Sequence, residues 1–132
     1  MRISSLDHLV LTVRSVEAAV DFYTSVLGMN VRSSPAPDGR SRMALRFGSQ
    51  MINLHPAGAE FEPKARRPTP GGGDVCLLTD DPLDDWLQHL EEAGVPIIEG
   101  PVPRRGALGP MMSLYFRDPD GNLLEVSRYG EG

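Results

Sequence analysis

The residues able to do chemistry are few and far apart. Cys76 is the only cysteine, so the chain cannot form an internal disulfide, a thiolate zinc cluster or a redox pair. Any metal would have to be held by imidazole, carboxylate or amide groups. His8 lies in the apolar run Asp7 to Val13, and Glu125 stands amid Leu123, Leu124 and Val126, where burial of its charge would demand a partner. Arg104 and Arg105 sit in GPVPRRGALGP, a Gly/Pro-rich stretch expected to be a loop, and Lys64, Arg66 and Arg67 in a second Pro-rich stretch. Loops are where anion clamps are built, although arginines there also serve plain solvation. Ser113 and Tyr115 share one face of their run by the two-residue period of a strand. Asp118 to Asn122, DPDGN, reads as turn chemistry.

The elements that must position these groups occur twice. DHLVLTV (7–13) and DVCLLTD (74–80) both read as buried strands. After the first, Ser15 is followed by a stripe of Val16, Ala19, Val20, Tyr23, Val26 and Leu27 that stops at Gly28. After the second, Asp80 or Asp81 is expected to cap and Pro82 to open a stripe of Leu83, Trp86, Leu87, Leu90 and Ala93 that ends at Gly94. His8 to Asp74 and Gly28 to Gly94 are both offsets of 66, and the turn-plus-strand segments 47–54 and 119–126 repeat at an offset of 72. Each copy is therefore expected to be a β-α-β-β-β unit: module one over 3–55, a connector over 56–73 and module two over 74–129. A unit of about fifty residues buries too little core to stand alone, so the two are expected to make a single α+β, pseudo-twofold domain over 1–132.

Composition narrows the classes. The 132 residues, 40% hydrophobic and 23% charged, suit one globular domain. Thirteen basic against 18 acidic residues argue against a nucleic-acid-coating surface. The halves differ: 1–70 holds nine basic and six acidic residues and 71–132 four basic and twelve acidic, so they stand at +3 and −8. No run reaches the roughly 18 apolar residues of a membrane helix and the start lacks a signal segment, so a cytoplasmic protein with no membrane partner is expected.

DHLVLTV with FYTSVLGMNV, and YFRDPDGNLLEV from Tyr115 to Val126, resemble the first strand and helix and the closing hairpin of the vicinal oxygen chelate superfamily, the group of glyoxalase I, bleomycin and fosfomycin resistance proteins and extradiol dioxygenases. The resemblance implies two tandem modules forming a curved mixed sheet around a cup-shaped site. It also implies metal ligands at the start of each module's first strand and on its last strand. His8 and Glu125 match two of those positions. The internal register gives Asp74 and Asn53 as the other two, both departing from the family's His and Glu. His55, two residues past Asn53 and on the same face, is the stronger donor and is expected to replace it. The implied set is His8, His55, Asp74 and Glu125 around a divalent cation, Mn, Fe, Ni or Mg ahead of Zn. Two carboxylates without a cation would crowd each other until one held a proton. Glu125 and Asp74 are the candidate proton carriers, and Arg104, Arg105 and Tyr115 the candidate substrate contacts.

Three function classes follow. The first is a metal-dependent lyase, isomerase or dioxygenase acting on a small molecule with vicinal oxygens. The second is a metal-free protein that sequesters a drug or metabolite, and the third a module that only dimerises. A homodimer is expected in any case, because each module leaves sheet edges to be covered.

Overall fold

The computed structural model describes residues 1–130 and divides into two compact units, Met1–Gly71 and Gly72–Gly132. The first contains β1 (His8–Val13), α1 (Val16–Ser25), β2 (Asn30–Pro35), β3 (Ser41–Phe47) and β4 (Gln50–Pro56). The second repeats the order with β5 (Asp74–Leu78), α2 (Leu83–Glu92), β6 (Glu99–Gly106), β7 (Gly109–Arg117) and β8 (Leu123–Tyr129). Each sheet is mixed and four-stranded, in the orders β1-β4-β3-β2 and β5-β8-β7-β6, with the first strand parallel to the last and the other pairs antiparallel. The expected α+β architecture of two tandem β-α-β-β-β modules is what the chain adopts.

The internal register holds at the level of strand pairing. His8 pairs with Met51 and Asp74 with Leu123, so the offsets of 66 and 72 are reproduced residue for residue. In the first unit Val13, Leu45, Ile52 and Leu54 are sealed on one face of the sheet, and Tyr23 of α1 is likewise wholly buried. Each such side chain contributes roughly 1.5–3 kcal/mol by leaving water. In the second, Leu114, Phe116 and Leu124 fill the same role with Leu90 of α2.

The helices end alike and begin differently. At Gly28 and Gly94 φ is +70° and +73°, a conformation that glycine adopts without a Cβ clash, and the next amides fold back: Met29 N–H donates to the Tyr23 carbonyl and Val95 N–H to that of Leu90. Ser15 caps α1 by accepting from the Ala18 amide at 3.1 Å. The expected cap of α2 by Asp80 or Asp81 is not made; Pro82 is the N-cap residue and no side chain closes that end. Thr79 takes over the polar work there, its Oγ1 accepting from the Asp81 amide at 3.1 Å and from the Trp86 indole at 2.9 Å. An indole N–H that is partly buried needs such an acceptor.

A second correction concerns residues 100–110, expected to be an irregular loop. They form most of β6, a two-residue turn and the start of β7. The strand tolerates Pro101 and Pro103 because β6 is the edge of its sheet, and a register shift between Glu99 and Val102 absorbs the misfit. The segment 57–73 carries no helix or strand. Within it Phe61 is buried, its ring edge-on to His55 at 5.4 Å and under the Arg40 guanidinium at 4.1 Å. No helix among the described residues is long and apolar enough to cross a membrane.

The DPDGN turn is closed by its own side chains. The Asp118 carboxylate accepts from the amides of Asp120 and Asn122 and from the Asn122 side chain, whose Oδ1 accepts from the Gly73 amide at 2.7 Å just before β5. Asn122→Ala would leave a buried carboxylate and a backbone N–H short of partners, and is expected to lower stability by about 2–4 kcal/mol in urea unfolding. A loss below about 1 kcal/mol would show that the turn holds without this link.

Candidate functional site

In the second unit the polar side chains collect on the sheet face opposite the core. Glu125 on β8 lies beside Cys76 of β5 on one side and Tyr115 of β7 on the other. Its Oε2 accepts from Ser113 Oγ at 2.6 Å and Ser127 Oγ at 3.2 Å; the two serines are wholly buried and 2.7 Å apart, and Cys76 Sγ contacts Ser127 Oγ at 3.3 Å. Two hydroxyls on one oxygen lock the carboxylate's orientation. Asp74 shares this face one pleat away, its Cα roughly 7–8 Å from that of Glu125 by the diagonal spacing of paired strands. The Cys76 thiol is pushed above its ordinary pKa, first by burial and then by the charges of Glu125 and Asp74, while its bond to Ser127 pulls the other way.

Tyr115 is pushed up as well, chiefly by burial and further by Glu125, so its phenol stays protonated at neutral pH. Arg104 is committed inside the protein: Nε donates to the Tyr115 hydroxyl at 2.9 Å, Nη2 to Glu99 at 3.2 Å and Nη1 to the Pro103 carbonyl at 3.0 Å. Its neighbour Arg105 pairs with Pro110 on the other face of the sheet. The structure therefore brings Arg104, Tyr115, Asp74 and Glu125 to one face and leaves Arg105 off it. Both arginines lie on a strand rather than on the expected loop.

In the first unit His8, Asn53 and His55 all project from the face opposite the core. His8 Nδ1 is 2.8 Å from the Asp7 carboxylate, so Asp7 orients the imidazole. With the proton on Nδ1, Nε2 is the lone-pair nitrogen, the arrangement of a metal-binding imidazole backed by a carboxylate. Strand pairing bears on the choice between Asn53 and His55. Asn53 pairs with Val10, roughly 7 Å along the sheet from His8, whereas His55 pairs with Thr12, roughly 13 Å away.

His8 offers an imidazole with its second nitrogen anchored, and Glu125, in the other unit, a carboxylate with one oxygen fixed; both are donor types that divalent cations accept. Among the described residues no three His, Cys, Asp or Glu side chains gather as a metal-holding group. Each pair by itself is short of the four to six donors such an ion takes. Sequence reasoning missed Cys76 and Ser127 on the site face, although the two-residue period from Asp74 and Glu125 points straight at them.

His55 is held below the ordinary imidazole value of 6.5, first by burial, then by Arg42 and Arg40, with Glu60 and Glu62 opposing. The native state thus binds fewer protons than the unfolded chain in the window just below 6.5, so stability is fully present above 6.5 and falls as pH drops through the lower native value. In chelator-washed protein, the urea midpoint of the wild type relative to His55→Gln is expected to decline between pH 7.5 and 5. A difference that stays flat would mean the ring is solvated.

Residues 5–126 match the family described as the Glyoxalase/Bleomycin resistance protein/Dioxygenase superfamily. Over 129 residues the chain is 50% identical to virulence protein STM3117 of Salmonella typhimurium, with 98% of this chain and 87% of that protein covered. It is equally identical, again over 129 residues, to glyoxalase domain-containing protein RDO1 of Mycosarcoma maydis, covering 98% of this chain and 70% of that one. An integron cassette protein from the mobile metagenome of V. cholerae has a solved structure that superposes with a TM-score of 0.92 at 54% identity over 98% of both chains. With its strand order, its internal register and these matches, the chain belongs to the Glyoxalase/Bleomycin resistance protein/Dioxygenase superfamily.

Proposed function

We propose that this chain is a metal-dependent enzyme acting on a small molecule with vicinal oxygens. The observation that carries the reading is Glu125, a carboxylate fixed by two buried hydroxyls on the face it shares with Asp74 and Tyr115. An oriented carboxylate beside a protonated phenol supplies the acceptor and the donor that a proton-transfer site can use. The donors this reading proposes are, in the first unit, His8 with Asn53 preferred to His55 on strand spacing and, in the second unit, Asp74 with Glu125. Superfamily members commonly use divalent metals, and such an ion, when bound, polarises substrate oxygens.

The chain's own groups do the rest. The fixed Oε2 of Glu125 leaves the carboxylate able to take a proton from substrate carbon or oxygen at its other oxygen and return it. Tyr115 donates a hydrogen bond to a substrate oxygen that gains charge, and Arg104, bonded to the phenol oxygen, keeps that hydroxyl in place. Asp74 adds a second carboxylate on the same face.

Protein purified without chelator is expected to carry close to one equivalent of Mn, Fe, Ni or Mg by elemental analysis. His8→Ala and Glu125→Gln should each lose most of it, Asn53→Ala a large part, and His55→Ala little. If the wild type purifies empty and takes up none of these ions, the enzyme reading fails and sequestration of a small molecule replaces it.

A homodimer is part of the same proposal. The outer strands β1 and β5 expose Val10 and Leu78, apolar side chains that pairing would cover. Sedimentation at tens of micromolar is expected to give twice the 14.4 kDa chain mass; a monomer there would refute it.

A further inference from the structure

The face of the first sheet that carries His8 and Asn53 also carries Arg32 of β2 and Arg42 and Arg46 of β3. The register is unambiguous: Leu45 faces the core, so its neighbours on either side face away, and Arg32 pairs with Ala44 between the two β3 arginines. Arg32 is thereby a diagonal neighbour of both, at roughly 7–8 Å between Cα atoms. All three are exposed. None of the residues that β1 to β4 present on this face is Asp or Glu.

Among the described residues no carboxylate pairs with Arg32, Arg42 or Arg46, and Arg42 makes only a 3.4 Å bond to the Pro35 carbonyl. The contrast with Arg40 and Arg104 is direct, since both of those are tied to carboxylates. Guarding an exposed sheet edge explains only Arg32, because β3 lies inside the sheet between β2 and β4. Arg32 within diagonal reach of both β3 arginines, with no paired carboxylate among the described residues, makes a cluster of like charge whose repulsion an anion would relieve.

We propose that this arginine face is the anion-recognition site of the chain, and that its ligand is a small organic anion bearing carboxylate or phosphate groups. Planar guanidinium groups bind either one in pairs of parallel hydrogen bonds. The inference rests on the reading of the chain as an enzyme in naming this anion the substrate, with the arginines holding its charged end and setting specificity. Anion binding itself does not require the metal.

The test is therefore made on chelator-washed protein, by amide chemical-shift titration with succinate, inorganic phosphate and, as the uncharged control, succinamide. Saturable binding of succinate or phosphate in the low millimolar range is expected, with shifts confined to β2, β3 and β4. Succinamide should leave the spectrum unmoved. Succinate binding alone names a carboxylate ligand, and phosphate binding alone a phosphate ester. Arg42→Gln combined with Arg46→Gln should weaken binding at least tenfold with an unchanged thermal midpoint and unchanged metal content, while Arg2→Gln should leave it intact. Absence of saturable binding, equal binding by the double variant, or equal binding of succinamide would overturn the proposal. Because metal content is read separately, an empty protein that still binds succinate through these arginines sinks the metal reading and leaves this one standing.

Discussion

Everything else in this protein depends on the parallel pairing of each unit's first strand with its last. In each sheet one face is sealed by apolar side chains and the other carries the polar ones, and successive residues alternate between them. A slip of one residue in His8↔Met51 or Asp74↔Leu123 would exchange the two faces, driving Glu125 into the core and Leu124 out. The burial of Ile52, Leu54, Leu124 and Val126 therefore does more than hold the units together. It decides which side chains are available for chemistry at all.

On that shared frame the two units carry opposite electrostatics. The first sheet presents imidazole, amide and guanidinium groups without a carboxylate, and the second presents the carboxylates of Asp74, Glu99 and Glu125 with the hydroxyls of Ser113, Ser127 and Tyr115, the Cys76 thiol and the Arg104 guanidinium. The same backbone positions, Asn53 and Glu125, hold a neutral amide in one unit and an oriented charge in the other. The +3 and −8 of the two halves reflect this division as well as the acidic surface of α2. Duplication lets each sheet carry its own set of polar groups on one backbone plan.

Much of this was legible in the sequence because it rests on period and punctuation. The 66-residue offset between His8 and Asp74 needs only a comparison of the chain with itself, and Gly28 and Gly94 announce helix ends through a conformation other residues avoid. The placement of 100–110 was not legible, because proline content argues against a strand unless the strand is known to lie at an edge, and edge position is a property of the whole sheet. The capping of α2 was missed for a related reason: Thr79 serves Trp86 and Asp81 at once, and a bond made to a side chain seven residues on leaves no local signature. The serines beneath Glu125 follow from alternation once the strands are paired. Their full burial does not, because it depends on what packs above them.

The prolines of β6 have one more consequence. An outermost strand is a template, and most sheets must blunt it. Pro101 and Pro103 carry no N–H, and the register shift beside them interrupts the regular ladder a newcomer would need. The adjoining pair of Arg104 and Glu99 adds charge along the same border. The second sheet is in effect closed to growth on that side, so an acidic unit briefly exposed during synthesis offers stray polypeptide no regular ladder along β6.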